Sequence, residues 1–135
     1  MRKTPGVDMS SGSLGNGLAI GLGMALSART HGQNYRVFVL MGDGEQQEGA
    51  VWEAAMIAAH HKVSGLIAIV DRNHLQLTGP TEDVVALGDL AEKYRAFGWE
   101  VAEINGNDME QVVAALEKAG KTELPYAIIA DTVKG

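Results

Sequence analysis

Two apolar runs constrain this chain more than anything else in it. Val37-Phe38-Val39-Leu40-Met41 stops at Gly42-Asp43-Gly44, and Ile67-Ala68-Ile69-Val70 stops at Asp71-Arg72-Asn73. Both are short, rich in β-branched residues and bounded by turn residues, a pattern that favours buried strands over helices. Between them, Gln46 to His61 reads as a helix, with Val51, Ala54, Ala55, Ala58 and Ala59 forming a small-residue face able to sit close on a sheet. Strand, helix, strand in that order makes two adjacent parallel strands joined by a crossover. Their carboxyl ends then lie side by side, which is where open α/β sheets receive ligands.

The alternation continues along the chain. Residues 1 to 13 read as an extended lead-in, with Pro5-Gly6 a turn signal. A helix follows from Leu14 to about Thr30. Its apolar positions occur almost all round, so it is expected to be buried, with Gly17 and Gly21 on one face allowing close packing. Arg36 to Met41 reads as a central parallel strand and Leu66 to Val70 as the next. Leu77 to Thr81 reads as a loop, and Leu87 to Phe97 as a helix capped by Asp89. Trp99 to Ile104 is a third strand. Asn105 to Asp108 is a turn and cap for a helix over Met109 to Ala119 carrying Val112, Val113 and Leu116 inward, and Tyr126 to Ala130 is a fourth strand. The fold class is therefore α/β, a parallel sheet with helices on both faces, in a single domain over residues 1–135.

Composition removes several classes of function. The net charge of −6, with no Lys/Arg cluster, argues against a nucleic-acid partner. No apolar run approaches the ~20 residues that span a bilayer, and the amino terminus lacks a signal-peptide core, so no membrane association is expected. The absence of cysteine excludes disulfides and thiolate metal sites and fits a cytoplasmic protein.

The chemistry is expected where the two strands end. Asp43 offers a charged oxygen and Asn73 a neutral one, and adjacent strands could bring both to one cation. Hard oxygen donors suit Mg²⁺, which keeps substrate phosphates among its ligands. The glycines flanking Asp43 let the backbone approach a phosphate group. On the residues alone, Asp43 is equally a turn residue or helix cap, and Glu48 and Glu53 are equally acids placed favourably at a helix start. His31, His60 and His61 close helices, where a cation is favoured, and carry no chemistry in this reading. A dinucleotide site is disfavoured, because no strand leads into the glycine-rich block and its spacing is not G-x-G-x-x-G.

Gly42-Asp43-Gly44, then Glu48-Gly49, then Asp71-Arg72-Asn73 resembles the thiamine diphosphate motif. Thr4-Pro5-Gly6-Val7, Gly12 to Gly17, Leu77-Thr78-Gly79 and Tyr94 to Val101 resemble the diphosphate-binding domain of transketolase, from about Thr4 to Gly135. The resemblance implies a cofactor, thiamine diphosphate, held through Mg²⁺, for which Ca²⁺ or Mn²⁺ could substitute. It assigns the metal to Asp43, Asn73 and the Leu75 carbonyl, and cofactor contacts to Gly12, Leu14, Gly42, Asp43, Gly44 and Asn73. The Gly44 amide would donate to the diphosphate. Glu48 takes the place of the catalytic-site carboxylate, at the subunit interface near the thiamine ring. Glu53 also matches a family carboxylate, Asp71 would hold the loop, and the role of His74 stays open.

The implied activity is transfer of a two-carbon ketol unit from a ketose phosphate to an aldose phosphate, as in the pentose phosphate pathway. The activating glutamate of that family belongs to a pyrimidine-binding domain not found in this sequence. Its His-Pro block would precede Thr4, where only Met1-Arg2-Lys3 stand, and a further His would follow Gly135. The expectation is an incomplete domain of a split transketolase, inactive alone. Its partner would be a second, C-terminal subunit carrying the pyrimidine-binding domain, and the chain is expected to homodimerise. A non-catalytic cofactor-binding or interface module remains open. So does part of another thiamine enzyme, such as deoxyxylulose-phosphate synthase or a 2-oxo acid dehydrogenase E1.

Overall fold

The structure, a computed structural model, describes residues 4–134; Met1-Arg2-Lys3 and Gly135, and the sequence readings made on them, lie outside the described residues. Four parallel strands form one sheet: β1 (Val37–Gly42), β2 (Leu66–Arg72), β5 (Glu100–Asn105) and β6 (Tyr126–Asp131), in the order β1-β2-β6-β5. Val39 lies beside Ala68, and Ile69 beside Ile128, so the central strands bury unbroken apolar runs. Three helices cover one face: α1 (Asn16–Thr30), α2 (Gly49–His60) and α4 (Leu90–Ala96). Leu18 and Leu22 of α1, Val51, Ala54, Ala55 and Ala58 of α2, and Leu90 and Tyr94 of α4 close over Val39, Met41, Ala68 and Val70. The other face carries α5 (Met109–Ala119), whose Ala115 and Ala119 pack on Ile67, Tyr126 and Ile128. The expected α/β architecture is thus present.

The strand expected at the centre is at the edge. β1 pairs with β2 alone, and α5 does not reach it, so its burial alternates. Val37, Val39 and Met41 point into the helical layer, while Phe38 and Leu40 are 45% and 73% exposed. A run apolar on both faces shows that both faces can be covered; it does not say what covers them. α1 likewise buries one side rather than its whole circumference, through Leu18, Gly21, Leu22, Ala25 and Ala28. Of the two glycines on that side, only Gly21 is essential to the packing. A Cβ there would fall 2.4 Å from Val39 Cγ2, whereas one on Gly17 would make ordinary contact at 3.5 Å.

Boundaries shift where turns were underestimated. Gly44–Gln47 is a 3₁₀ turn, so α2 starts at Gly49 with Glu48 extended before it. The expected loop after Leu75 contains a small hairpin, β3 (Leu75–Gln76) with β4 (Gly79–Pro80). The helix expected from Leu87 is divided into α3 (Thr81–Val84) and α4, the latter capped by Asp89 through the Glu92 amide at 2.8 Å. Asp108 caps α5 as expected, but Val113 faces solvent and the inward positions are Ala115 and Ala119. No helix among the described residues is long and apolar enough to cross a membrane.

Candidate functional site

Asp43 is the first residue after β1 and Asn73 the first after β2. Gly42 pairs with Asp71, and the Asp43 amide donates to the Asp71 carbonyl at 3.1 Å, so the two strand ends stay in register as they leave the sheet. This places Asp43 against the Arg72–His74 bend. Its carboxylate is buried, at 1% exposure, and fully engaged. Oδ1 accepts from the Gly44 amide at 2.7 Å. Oδ2 accepts from the His74 amide at 2.7 Å, the Thr81 hydroxyl at 3.2 Å and Arg72 Nη1 at 3.2 Å. A buried carboxylate needs such partners, because its desolvation is offset only by donors and a counter-charge.

Arg72 reaches further. Its Nη2 donates to Glu82 at 2.6 Å, and Glu82 accepts from the Leu87 and Gly88 amides. The guanidinium first, and then the Gly88 amide, hold the Glu82 carboxyl below its ordinary range. Asp71 holds the bend from below, accepting from Asn73 Nδ2 at 3.1 Å and from the Thr132 hydroxyl. His74 sits at φ 62, an uncommon conformation for a residue with a side chain, and its ring meets Asp131 at 3.2 Å.

The three oxygens expected to hold a metal fit that purpose chemically. Asp43 Oδ1 accepts one N–H, which leaves a second lone pair. Asn73 Oδ1 accepts one, from the Leu75 amide at 3.1 Å. Leu75 lies opposite Pro80, between two positions where the hairpin is hydrogen-bonded; the Thr81 amide donates to the His74 carbonyl at 2.9 Å. By the alternation of an antiparallel ladder, the Leu75 carbonyl therefore turns away from its partner strand. Among the described residues no cluster of three or more His, Asp or Glu forms a metal site. An oxygen set with one carboxylate, one amide and one carbonyl leaves room in the coordination shell for phosphate and water.

The glycines have different duties. A Cβ on Gly42 would meet nothing within 4 Å, whereas one on Gly44 would fall 3.0 Å from Gln76 Cβ, so Gly44 is required by the hairpin as well. The Gly44 amide, expected to donate to a diphosphate, is given to Asp43 here. Gly12 and Leu14 are exposed in the turn before α1. That turn ends at Gly15, which has φ 81 and lies so close to Glu48 that a Cβ would come 2.6 Å from Glu48 Cβ. Glu48 itself is exposed at the start of α2, and Glu53 is exposed one turn on. The fold thus brings the turn with Gly12 and Leu14 to Glu48, and Asp43 to Asn73.

Three residues of the site were not singled out in the sequence: Glu45, Arg72 and Thr81. Glu45 accepts from the Gly15 amide at 2.9 Å and the Gly42 amide at 3.2 Å, linking the two groups. An acid directly after Gly42-Asp43-Gly44 was the available signal. For Arg72 it was a cation between two oxygen-bearing residues, and for Thr81 the Thr-Glu-Asp start of a short helix. A groove of about 780 Å³ opens beyond His74, at the ends of β5 and β6, but none of the residues expected to hold metal or cofactor lines it.

Comparison with known proteins agrees with this geometry. Residues 1–135 match the family described as transketolase, thiamine diphosphate binding domain. One of the two subunits of the apulose-4-phosphate transketolase of Phocaeicola vulgatus is 42% identical over 134 residues, covering 98% of this chain and 48% of that protein. The 6-deoxy-6-sulfo-D-fructose transketolase subunit SqwG of Clostridium sp. is 40% identical over 136 residues, covering 100% of this chain and 50% of that one. This chain spans about half the length of those curated relatives. The crystal structure of transketolase from Campylobacter jejuni superimposes with a TM-score of 0.88 at 34% identity, over 93% of this chain and 21% of that chain. Fold, strand-end geometry and sequence meet in one conclusion: this chain belongs to the thiamine diphosphate-binding domain family of the transketolases.

Proposed function

We propose that this chain is the magnesium- and thiamine diphosphate-anchoring part of a transketolase, completed by a second subunit that carries the pyrimidine-binding domain. The observation that supports it most is the buried Asp43, held by donors on both oxygens at the end of β1 and set beside the Asn73 bend at the end of β2. A surface turn or a helix cap needs no such enclosure. In this reading Asp43, Asn73 and the Leu75 carbonyl hold Mg²⁺, or Ca²⁺ or Mn²⁺ in its place. Gly42 and Gly44 leave space for the diphosphate, and Gly12 and Leu14 contact the rest of the cofactor. When bound, thiamine diphosphate supplies the carbanion-stabilising centre for ketol transfer between a ketose phosphate and an aldose phosphate. The contribution of this chain is position and charge: Arg72 and Thr81 keep Asp43 in place, and the oxygen set fixes the metal that neutralises phosphate charge.

The chain is one domain of that assembly and is inactive alone. Exposed Glu48 meets the partner subunit near the thiamine ring, and the assembled enzyme pairs as a dimer. Sugar choice belongs mainly outside this domain, since relatives named for two different ketoses match it almost equally, at 42% and 40% identity. Isothermal titration of the chain with thiamine diphosphate, with Mg²⁺ and then with EDTA, tests the anchor. Metal-dependent binding that disappears in Asp43→Ala is expected, and turnover of ketose phosphate only after the partner subunit is added. Metal-independent binding, or none to the folded wild type, would remove the anchoring role from this chain.

A further inference from the structure

Glu45 joins two segments that the sheet does not join. The first is the amino end of α1. Its N-cap is Gly15, no side chain caps it from within, and its first turn carries no acid, so its positive end lacks a local counter-charge. The second is the end of β1. The Asp43 amide is spent on β2, so by alternation the Gly42 amide points off the open edge of the sheet. One carboxylate answers both. Oε1 accepts from Gly15 at 2.9 Å and Oε2 from Gly42 at 3.2 Å, two charge-assisted bonds from one side chain.

We infer that Glu45 is a positioning residue: its carboxylate clips the Gly12–Gly15 turn to the Gly42–Gly44 turn and so fixes the spacing between them. Gly15 and Gly42 are thirty and three residues from Glu45. The side chain thereby couples a distant segment to its own. The packing of Gly15 on Glu48 keeps the turns near each other but supplies no hydrogen bond to either amide. The clip concerns the fold; its consequence for the cofactor rests on the function proposed above. A glutamine keeps the length of the side chain but has one acceptor oxygen instead of two, so it can serve one amide and not both.

The test is residue-resolved amide exchange by NMR on the full chain, with Glu45→Ala and Glu45→Gln, alongside titration with magnesium and thiamine diphosphate. In Glu45→Ala, exchange at the Gly15 and Gly42 amides is expected to accelerate about tenfold or more, the loss of a bond to a charged group. The Ala68 amide, inside β2, should keep its wild-type rate, and cofactor affinity should weaken by about tenfold. In Glu45→Gln at least one of the two amides accelerates and affinity falls between the other two proteins. If both amides keep wild-type exchange in both variants, or if Ala68 accelerates along with them, the clip is refuted. If the wild type does not bind the cofactor, the proposed function falls, while the exchange rates still decide the clip.

Discussion

Gly21 and Gly23 lie two residues apart in α1, and replacing each by alanine should move stability in opposite directions. Alanine in place of glycine inside a helix gains about 1 kcal/mol, chiefly by restricting the unfolded chain. At Gly23 nothing lies within 4 Å of the added methyl, so that gain is expected in full. At Gly21 the methyl would stand 2.4 Å from Val39 Cγ2 and 3.4 Å from Leu66 Cδ1 and Val37 Cγ1. Comfortable carbon contacts begin at about 3.5 Å, so something must move by roughly an ångström. Val39 cannot turn away cheaply, because a β-branched residue in a strand is stiff about χ1 and both its neighbours are packed. α1 must lift instead, and overpacking of this kind costs about 1–3 kcal/mol.

The net expectation is a loss of about 1 kcal/mol for Gly21→Ala against a gain of about 1 kcal/mol for Gly23→Ala. At this chain length each kcal/mol shifts the melting temperature by about 3–5 °C. Urea unfolding followed by tryptophan fluorescence measures it, since Trp99 is buried and Trp52 stacks on Phe97 at 5.6 Å. If Gly21→Ala proved as stable as Gly23→Ala, the helix would not rest on Val39 at the distance described, and the packing argument for α1 would fail.

Three further outcomes are expected. Arg72→Met leaves Asp43 buried without its counter-charge and should cost about 3 kcal/mol or more; magnesium with thiamine diphosphate should then raise the melting temperature of the variant more than that of the wild type, as scanning calorimetry would show. Tyr126 is buried, and its hydroxyl has no hydrogen-bond partner among the described residues, so Tyr126→Phe should be neutral or stabilising by up to about 1 kcal/mol in urea. Glu82 and Asp108 both have folded pKa values below their ordinary 4.5 and 3.8, Glu82 chiefly through Arg72 and Asp108 chiefly through Gln111. The unfolded chain therefore takes up these protons first, so their stabilisation is complete above those values and is lost as pH falls through the folded ones. Unfolding midpoints at a series of acidic pH values should fall less steeply in Glu82→Gln than in the wild type.

Local features were legible in the sequence to the extent that their causes were local. The limits of α5, its Asp108 cap, the Asp89 cap and the small-residue face of α2 follow from propensity and spacing, and the fold keeps them. Asp43 and Asn73 were legible because parallel strands separated by a helix bring their ends together whatever the rest of the chain does. Strand order was not. Nothing in Val37 to Met41 distinguishes an edge from a centre, because the decision is made by β6, about ninety residues away. Glu45, Arg72 and Thr81 escaped for the same reason. Each acts through a contact with a segment that only the folded chain brings near, and a charged or hydroxyl residue at a turn ordinarily means solvent.

The order β1-β2-β6-β5 also sets a timetable. β6 is synthesised after every other strand of its sheet, yet it stands between two of them. Until it emerges, β5 has no partner and β2 has only one, so β1, α2 and β2 must wait with Ile67 and Ile69 without neighbours on that side. Completion of the sheet cannot track translation from the amino end. It happens late, by insertion, when Tyr126 to Asp131 slides into a slot whose walls are held apart by α4 and α5. Changes near β6 should therefore reduce the yield of folded protein more than equally buried changes in β1.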